Sequence, residues 1–313
     1  QAAGDAGLAL HHLLAAGEDA EAANLVESVA RGLIERGQLT LLRDWLTRLP
    51  EAAAAARPRL HLIHTWIDFH MLEPRRGLHH LRAARRALGI AGGAGGSRDV
   101  PAGLLHEFRT LVVGTLSAAD HNRWACAMGR HWLPQIPREE AFLRGTLANI
   151  VAFSSYTLGD LAAAAELAER ARQEHRRAGS PFGLIYADLI LALVEKARGR
   201  LAAAGDLLEQ ARLLARESQG QAGYCEAMLA VFQAELAYER GETARAEALL
   251  QENHYIIEGT ALIVHALSGH LHLARLEALQ GRGQSALAIL GRAEALGRER
   301  LYRRLRAGVL NDE

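Results

Sequence analysis

Lysine is all but missing from this chain: Lys196 is the only one, so arginine carries nearly all of the 36 positive charges. An equal number of acidic residues offsets them. A chain without a net field is not drawn onto phosphate backbones or anionic lipid, which argues against nucleic-acid binding by this segment. Cysteine is scarce too. Cys126 and Cys225 stand about a hundred residues apart, form no metal or redox motif, and are expected to be small buried hydrophobes. No apolar run approaches the roughly 20 residues needed to cross a bilayer. Gln1 to Gly17 also lacks the basic start, apolar centre and small-residue cleavage site of a signal peptide. The chain is expected to be soluble and cytoplasmic, with no membrane partner, and to be truncated at both ends relative to a longer parent.

Marks of catalysis are missing as well. The glycine-rich stretch from Gly89 to Pro101 lacks the closing Gly-Lys-Ser/Thr of a phosphate-binding loop, and no strand pattern precedes it. It reads as a flexible inter-helix connector. No serine sits in a nucleophile elbow, and no paired carboxylates are framed by apolar neighbours. Histidine, in contrast, is abundant at 15 residues, including His61 and His64, the pairs His11-His12 and His79-His80, and His270 and His272. None has a carboxylate or third ligand at the helical spacing a zinc hydrolase needs. Neither an enzyme nor a metal protein is expected.

What is present is a period. Gly159, Gly199, Gly241 and Gly281 lie 40, 42 and 40 residues apart, and each is followed five residues later by an alanine: Ala164, Ala204, Ala246 and Ala286. A repeat of that length marks a helical solenoid, because a helix-turn-helix unit cannot bury its apolar face alone and must stack on the next. In each unit a first helix runs into the glycine, which can take the left-handed conformation that ends a helix. A second, alanine-rich helix follows, whose small residues let the two helices approach closely. Weaker marks extend the register backwards. Ala119-Asp120 precedes Gly159 by 40 residues with Trp124 at the alanine's place, and Glu73-Pro74 lies 46 further back with Leu78 there. Gly17-Glu18 with Ala22 opens the series, with Arg36-Gly37-Gln38 to Pro50 as extra material. The expectation is an all-α fold without a sheet: one domain spanning 1–313, a right-handed superhelix of about six such units.

The opening segment is more specific. Ala15 to Ala23 reads AAGEDAEAA, Trp45 to Pro50 reads WLTRLP, and Arg57 to Leu60 reads RPRL and leads into a helix with Trp66. This combination resembles the start of the helical, tetratricopeptide-like sensor domain of MalT-type activators, the large ATP-dependent LuxR-family transcription regulators. The resemblance covers essentially the whole chain, although units of 40 to 42 residues exceed the standard tetratricopeptide length of about 34. It implies a parent in which a nucleotide-binding module of the STAND type and a winged helix precede this domain and a LuxR helix-turn-helix follows it. It further implies that an inducer, together with ATP, promotes self-association and DNA binding. Here ATP belongs to the missing N-terminal module, and DNA would be reached only through the missing C-terminal one. A tetratricopeptide protein-interaction scaffold with no small-molecule ligand is the alternative.

The glycines also nominate a binding face. In a tetratricopeptide superhelix the first helix of each unit lines the concave groove, so positions three, six, ten and thirteen before each glycine should point inward. These are Tyr156, Phe153, Asn149 and Thr146 for Gly159; Lys196, Leu193, Leu189 and Tyr186 for Gly199; and Tyr238, Glu235, Val231 and Met228 for Gly241. Arg275 follows in the next unit, while His70, His106 and Arg109 come from the earlier ones. The expected ligand-binding set is therefore His70, His106, Arg109, Asn149, Phe153, Tyr156, Tyr186, Glu235, Tyr238 and Arg275. Rings supply contact area and a few polar groups set orientation, which suits a small inducer such as a sugar or aromatic metabolite, or a short peptide.

Overall fold

The computed structural model describes residues 2–71, 73–90, 100–219, 224–259, 263–299 and 303–312. Among the described residues all regular secondary structure is helical. In chain order the helices are α1 (Ala2–Ala15), α2 (Asp19–Glu35), α3 (Leu39–Arg48), α4 (Glu51–Ala55), α5 (Pro58–His70) and α6 (Pro74–Ala87). There follow α7 (Ala102–Ala118), α8 (Asn122–Trp132), α9 (Ala141–Thr157), α10 (Leu161–Ala178), α11 (Pro181–Ala197) and α12 (Leu201–Gln219). The series ends with α13 (Tyr224–Glu239), α14 (Thr243–Glu252), α15 (His254–Gly259), α16 (Ile263–Leu279), α17 (Gly283–Glu299) and α18 (Arg303–Asp312). Most of the glycine-rich connector, 91–99, lies outside the described residues.

Antiparallel pairs α1–α2, α5–α6, α7–α8, α9–α10, α11–α12, α13–α14 and α16–α17 stack into a superhelix. The turn inside each pair is set by backbone chemistry. At Gly159, φ is +83°, and the amides of Gly159 and Asp160 reach back to the carbonyls of Tyr156 (3.0 Å) and Ser155 (2.9 Å). The last carbonyls of α9 are thereby satisfied while the chain reverses, and a residue with a Cβ resists that conformation. The same turn recurs at Gly199, Gly241 and Gly281, and Ala164, Ala204, Ala246 and Ala286 are buried at the crossings that follow.

The Gly17 unit keeps the expected register, with φ +75° and Ala22 buried, but in the next two marked units it differs by one residue. Asp120, not Ala119, takes the left-handed position at φ +64°, supported by a bond from Asn122 Nδ2 to its Oδ1 at 2.9 Å. The crossing residue five positions on is then Ala125, fully buried, whereas Trp124 is 68% exposed. Likewise Gly77 is buried against Asp68 and Thr115 while Leu78 points outward. Nor is the Gly37 segment extra material. Gly37 forms a further left-handed turn at φ +71°, folds α3 back on α2 and buries Leu42.

That turn also closes the superhelix. The Glu35 carbonyl accepts from Ser180 Oγ at 3.1 Å, and the Arg36 carbonyl accepts from Gln219 Nε2 at 3.2 Å. A Cβ on Gly37 would come within 2.6 Å of the Phe182 ring. The end of α2 thus abuts the start of α11 and the end of α12, and one core runs from Leu10 to Leu276. A separate cluster joins α16, α17 and α18 around Ala274, Leu290 and Val309. The most enclosed helix is α9, buried at every position from Ala141 to Ser155.

Two measurements check this packing. Ala125→Leu should overpack the α7–α8 crossing and cost about 1–3 kcal/mol in urea unfolding, while Trp124→Ala should change stability by less than about 0.5 kcal/mol. Gly37→Ala, strained in φ and pressed against Phe182, should cost more than about 1 kcal/mol, and an unchanged unfolding midpoint would contradict the closure.

Candidate functional site

Closure narrows the concave groove to a mostly apolar cavity. Its walls come mainly from the first helices of successive units, whose glycine turns hold them side by side. From α5 come Trp66, Phe69 and His70; from α7, Ser117 and Ala118; from α9, Phe142, Thr146, Asn149, Ile150 and Phe153. α11 adds Phe182, Gly183, Tyr186 and Ile190, and α10 adds His175. The free space at its centre is about 60 Å³, room for a few waters. The rings pack edge-on and tilted: His70 to Phe182 at 4.9 Å, Phe182 to Tyr186 at 5.1 Å, Trp66 to Phe142 at 5.6 Å.

Polar groups enter this apolar space at few points. His70 Nδ1 lies 3.3 Å from the Tyr186 hydroxyl, which is 3.2 Å from the Tyr224 hydroxyl, and Tyr224 donates to the His70 carbonyl at 3.3 Å. Asn149 Nδ2 donates to the Gly183 carbonyl at 2.9 Å, leaving Oδ1 buried without a protein partner. His175 is wedged between α9 and α11, its ring set where side chains on Gly145 and Gly183 would otherwise be. Neither ring nitrogen makes a hydrogen bond of normal geometry, although the Gly145 backbone and the Glu174 carboxylate lie near enough to offset part of its burial. Desolvation pushes His70 down to about 3 and His175 down to about 4, so both are neutral at pH 7. Burial likewise raises the Tyr186 phenol, which stays protonated.

One end of the cavity is partitioned from a wider, charged cleft of about 580 Å³. Trp66 Nε1 donates to Glu107 Oε1 at 2.8 Å, Glu107 faces Arg31 at 3.6 Å, and the Arg31 guanidinium lies 4.7 Å over the Phe142 ring. Beyond this layer Glu35, Arg59, Glu139, Glu140 and Arg177 line the cleft. Burial raises the Glu35 carboxyl, against the pull of Arg31 and Arg36.

Of the residues expected to face the groove, His70, Asn149, Phe153 and Tyr186 meet in this cavity, with Thr146 beside them. The others lie apart. His106 Nδ1 is 3.0 Å from Glu140 at the cleft. Arg109 donates to Gln135 at 3.2 Å and covers the Trp132 ring. Tyr156 packs beside the core, 6.5 Å from Phe153. Glu235 accepts from Lys196 Nζ and, at 3.0 Å, from Ser268 Oγ, while Tyr238 meets His272 edge-on at 5.1 Å. Arg275 is half-buried near His272.

The spacing rule missed His175, because it sits on a second helix, and also Trp66, Phe142, Phe182 and Glu107. A cue for His175 was nonetheless present: Gly145 and Gly183 stand within otherwise bulky helices and clear its place. Also missed was a cluster on α5 and α6. His64 stacks on His80 at 4.5 Å, His61 Nδ1 lies 3.4 Å from His80 Nδ1, and Asp68 is buried beside them. Burial pushes His64 to about 4, His80 to about 3 and Asp68 up to about 7. Among the described residues no group of three or more His, Cys, Asp or Glu is placed to hold a metal, and no helix is long and apolar enough to cross a membrane. Cys126 and Cys225 are both buried, and burial pushes the Cys225 thiol up to about 12.

Known proteins place this arrangement in context. The profile of a family described as the MalT-like TPR region matches residues 112–309. The serine/threonine-protein kinase PknK of Mycobacterium tuberculosis is 26% identical over 283 residues, and the Mycobacterium bovis protein of that name matches equally. The match takes in 89% of this chain but 25% of theirs, so the chain spans about a quarter of these relatives. Among solved structures, a Rap protein complexed with Competence and Sporulation Factor superposes with a TM-score of 0.61 at 13% identity, over 91% of this chain and 79% of that one. A tetratricopeptide repeat protein from Parabacteroides merdae gives 0.50 at 12% identity, over 93% and 100%. At such identities the likeness is one of fold: a tetratricopeptide-type helical superhelix.

Burial of His70 predicts a pH dependence. Its folded pKa of about 3 lies below the ordinary 6.5, so the unfolded chain takes up a proton that the folded chain refuses. That contribution is intact above pH 6.5 and is lost as pH falls, at up to about 1.4 kcal/mol per pH unit. Between pH 7 and pH 4.5 the wild type should lose about 2 kcal/mol more than a His70→Gln variant in urea unfolding, and equal losses would contradict a neutral buried imidazole.

Proposed function

Because the chain belongs to the MalT-like TPR family, we propose that it is the effector-sensing and oligomerisation part of a MalT-like transcriptional activator, with a small inducer held inside the closed groove. The observation that carries this reading is the cavity itself. Rings from α5, α9 and α11 surround a space lined also by Asn149, whose Oδ1 is buried without a protein hydrogen bond, and by His175, whose ring nitrogens are buried with only the Gly145 backbone close by. Each unmet group of this kind costs about 1–3 kcal/mol, and these belong to residues that line the space. A ligand, or water in the resting protein, would meet them. The Rap protein of like fold that was solved with a bound factor supports the idea that a superhelix of this kind can hold an effector. In this reading residues 1–313 act as one superhelical domain, ATP and DNA are handled by other parts of the parent chain, and the protein works in the cytoplasm.

The charged cleft favours one alternative, a scaffold in which a protein or peptide lies against Arg59, Glu139, Glu140 and Arg177 and nothing enters the cavity. Thermal-shift screening of a metabolite panel separates the two. Compounds that stabilise the wild type should lose at least about tenfold in affinity on a folded Phe153→Ala, Ile150→Ala double variant, a contact loss of about 1.4 kcal/mol or more. Hits that bind this variant undiminished, but are lost on Arg59→Ala, Arg177→Ala, would move the site to the cleft.

A further inference from the structure

The chemistry lining the cavity restricts what it can hold. Resting on the reading of this cavity as the ligand site, we propose that its ligand is an uncharged compound of one flat ring system, single or fused, carrying an N–H or O–H donor directed at Asn149 Oδ1.

Charge is the first restriction. No Asp, Glu, Arg or Lys lines the cavity, and the titratable residues that do, His70, His175 and Tyr186, are buried. The nearest charged groups on the packed elements are spoken for: Glu107 by Trp66 and Arg31, and Glu174 by Arg144 at 2.8 Å and Arg177 at 2.7 Å. A carboxylate, phosphate or ammonium entering here would lose its hydration and gain no counter-charge, which excludes free amino acids, phosphosugars and peptide termini.

Shape is the second. Phe153, Phe182, Trp66 and Phe142 present ring faces and edges, the surfaces against which another ring packs best. The free space of about 60 Å³ is smaller than the roughly 150 Å³ cavity that accepts benzene in a packed core. Even one ring system must therefore rotate wall side chains, and a chain of residues has no room.

Polarity is the third. Asn149 is 93% buried and its amide is oriented by the bond to the Gly183 carbonyl, so the atom left over is an acceptor. Neutral His175, 99% buried, has one ring nitrogen as a donor, which the Gly145 backbone lies near, and the other as an acceptor. A donor on the ligand thus meets acceptors, whereas a sugar would bury a hydroxyl on nearly every carbon against walls that are mostly rings and aliphatic side chains.

The test uses indole, 1-methylindole, indole-3-carboxylate and glucose as probes of the whole chain. The readout is the Trp66 indole N–H signal in a nitrogen-15 spectrum, assigned by its loss in Trp66→Phe. Indole should shift this signal, 1-methylindole should bind about fivefold more weakly for want of the donor, and the carboxylate and glucose should leave it unmoved at equal concentration. Binding of the carboxylate or of glucose as tight as that of indole, or no shift with any probe, overturns the proposal. Two cavity-filling variants, Thr146→Phe and Ala118→Leu, tell this failure from failure of the cavity reading, and either suffices should the other not fold. Loss of indole binding in the filled cavity supports both, whereas binding that survives the filling places the site elsewhere and overturns both.

Discussion

The ring of Phe182 lies against the bare backbone of Gly37, and the closed form of the superhelix depends on that approach. A solenoid of paired helices otherwise makes contact only between neighbouring units, so its concave face stays open to water. Here α2 meets α11 across 145 residues of sequence, through Ser180 and the Glu35 carbonyl, while Gln219 ties α12 to Arg36. With that contact in place the inner faces of α5, α9 and α11 confront each other instead of solvent. They are correspondingly apolar, and polar groups placed there must find partners within the protein or in something it binds.

The layer between cavity and cleft shows how this enclosure is managed. Glu107 is a buried carboxylate, yet it is met by the Trp66 indole N–H and faces the Arg31 guanidinium, which in turn lies over Phe142. Charge stops at that layer. On one side are five charged residues in a cleft of about 580 Å³; on the other, histidines that desolvation keeps neutral. The two spaces adjoin through Phe142 but suit different chemistry, which is why the inducer and scaffold readings assign them to different kinds of partner.

Much of the fold could be read from the glycine period, because the left-handed turn and the small residue five positions later are local requirements of a helix pair. Where the turn residue is not glycine the mark fades. Asp120 makes the same turn with the help of Asn122, and reading Ala119 in its place pushed Trp124 into a crossing that Ala125 occupies. The inward-facing rule found Asn149, Phe153 and Tyr186 because the inner faces of α9 and α11 line the space beside the closure. It placed Glu235 and Tyr238 correctly on a helix face, but α16 covers that face, with Ser268 and His272 against them. Local periodicity carries no information about which distant helix covers a face. The same limit hid the meeting of Gly37 with Phe182, a contact that only the accumulated curvature of five helix pairs brings about.

Curvature also couples the units through Tyr186. Its hydroxyl lies between His70 on α5 and Tyr224 at the start of α13, and Tyr224 returns to the His70 carbonyl. Three inner helices from separate units therefore share one small hydrogen-bonded circuit, buried at His70 and Tyr186 and partly exposed at Tyr224. In such surroundings an unmade hydrogen bond costs more than it would at the surface, so the circuit favours one arrangement of the helices over intermediate ones. Phe182, which closes the superhelix at Gly37, packs on both His70 and Tyr186. A displacement of the Tyr186 ring from inside the cavity would consequently disturb the circuit and the closure together. That is the physical condition under which occupancy of a space of about 60 Å³ can alter the shape of a superhelix many times larger.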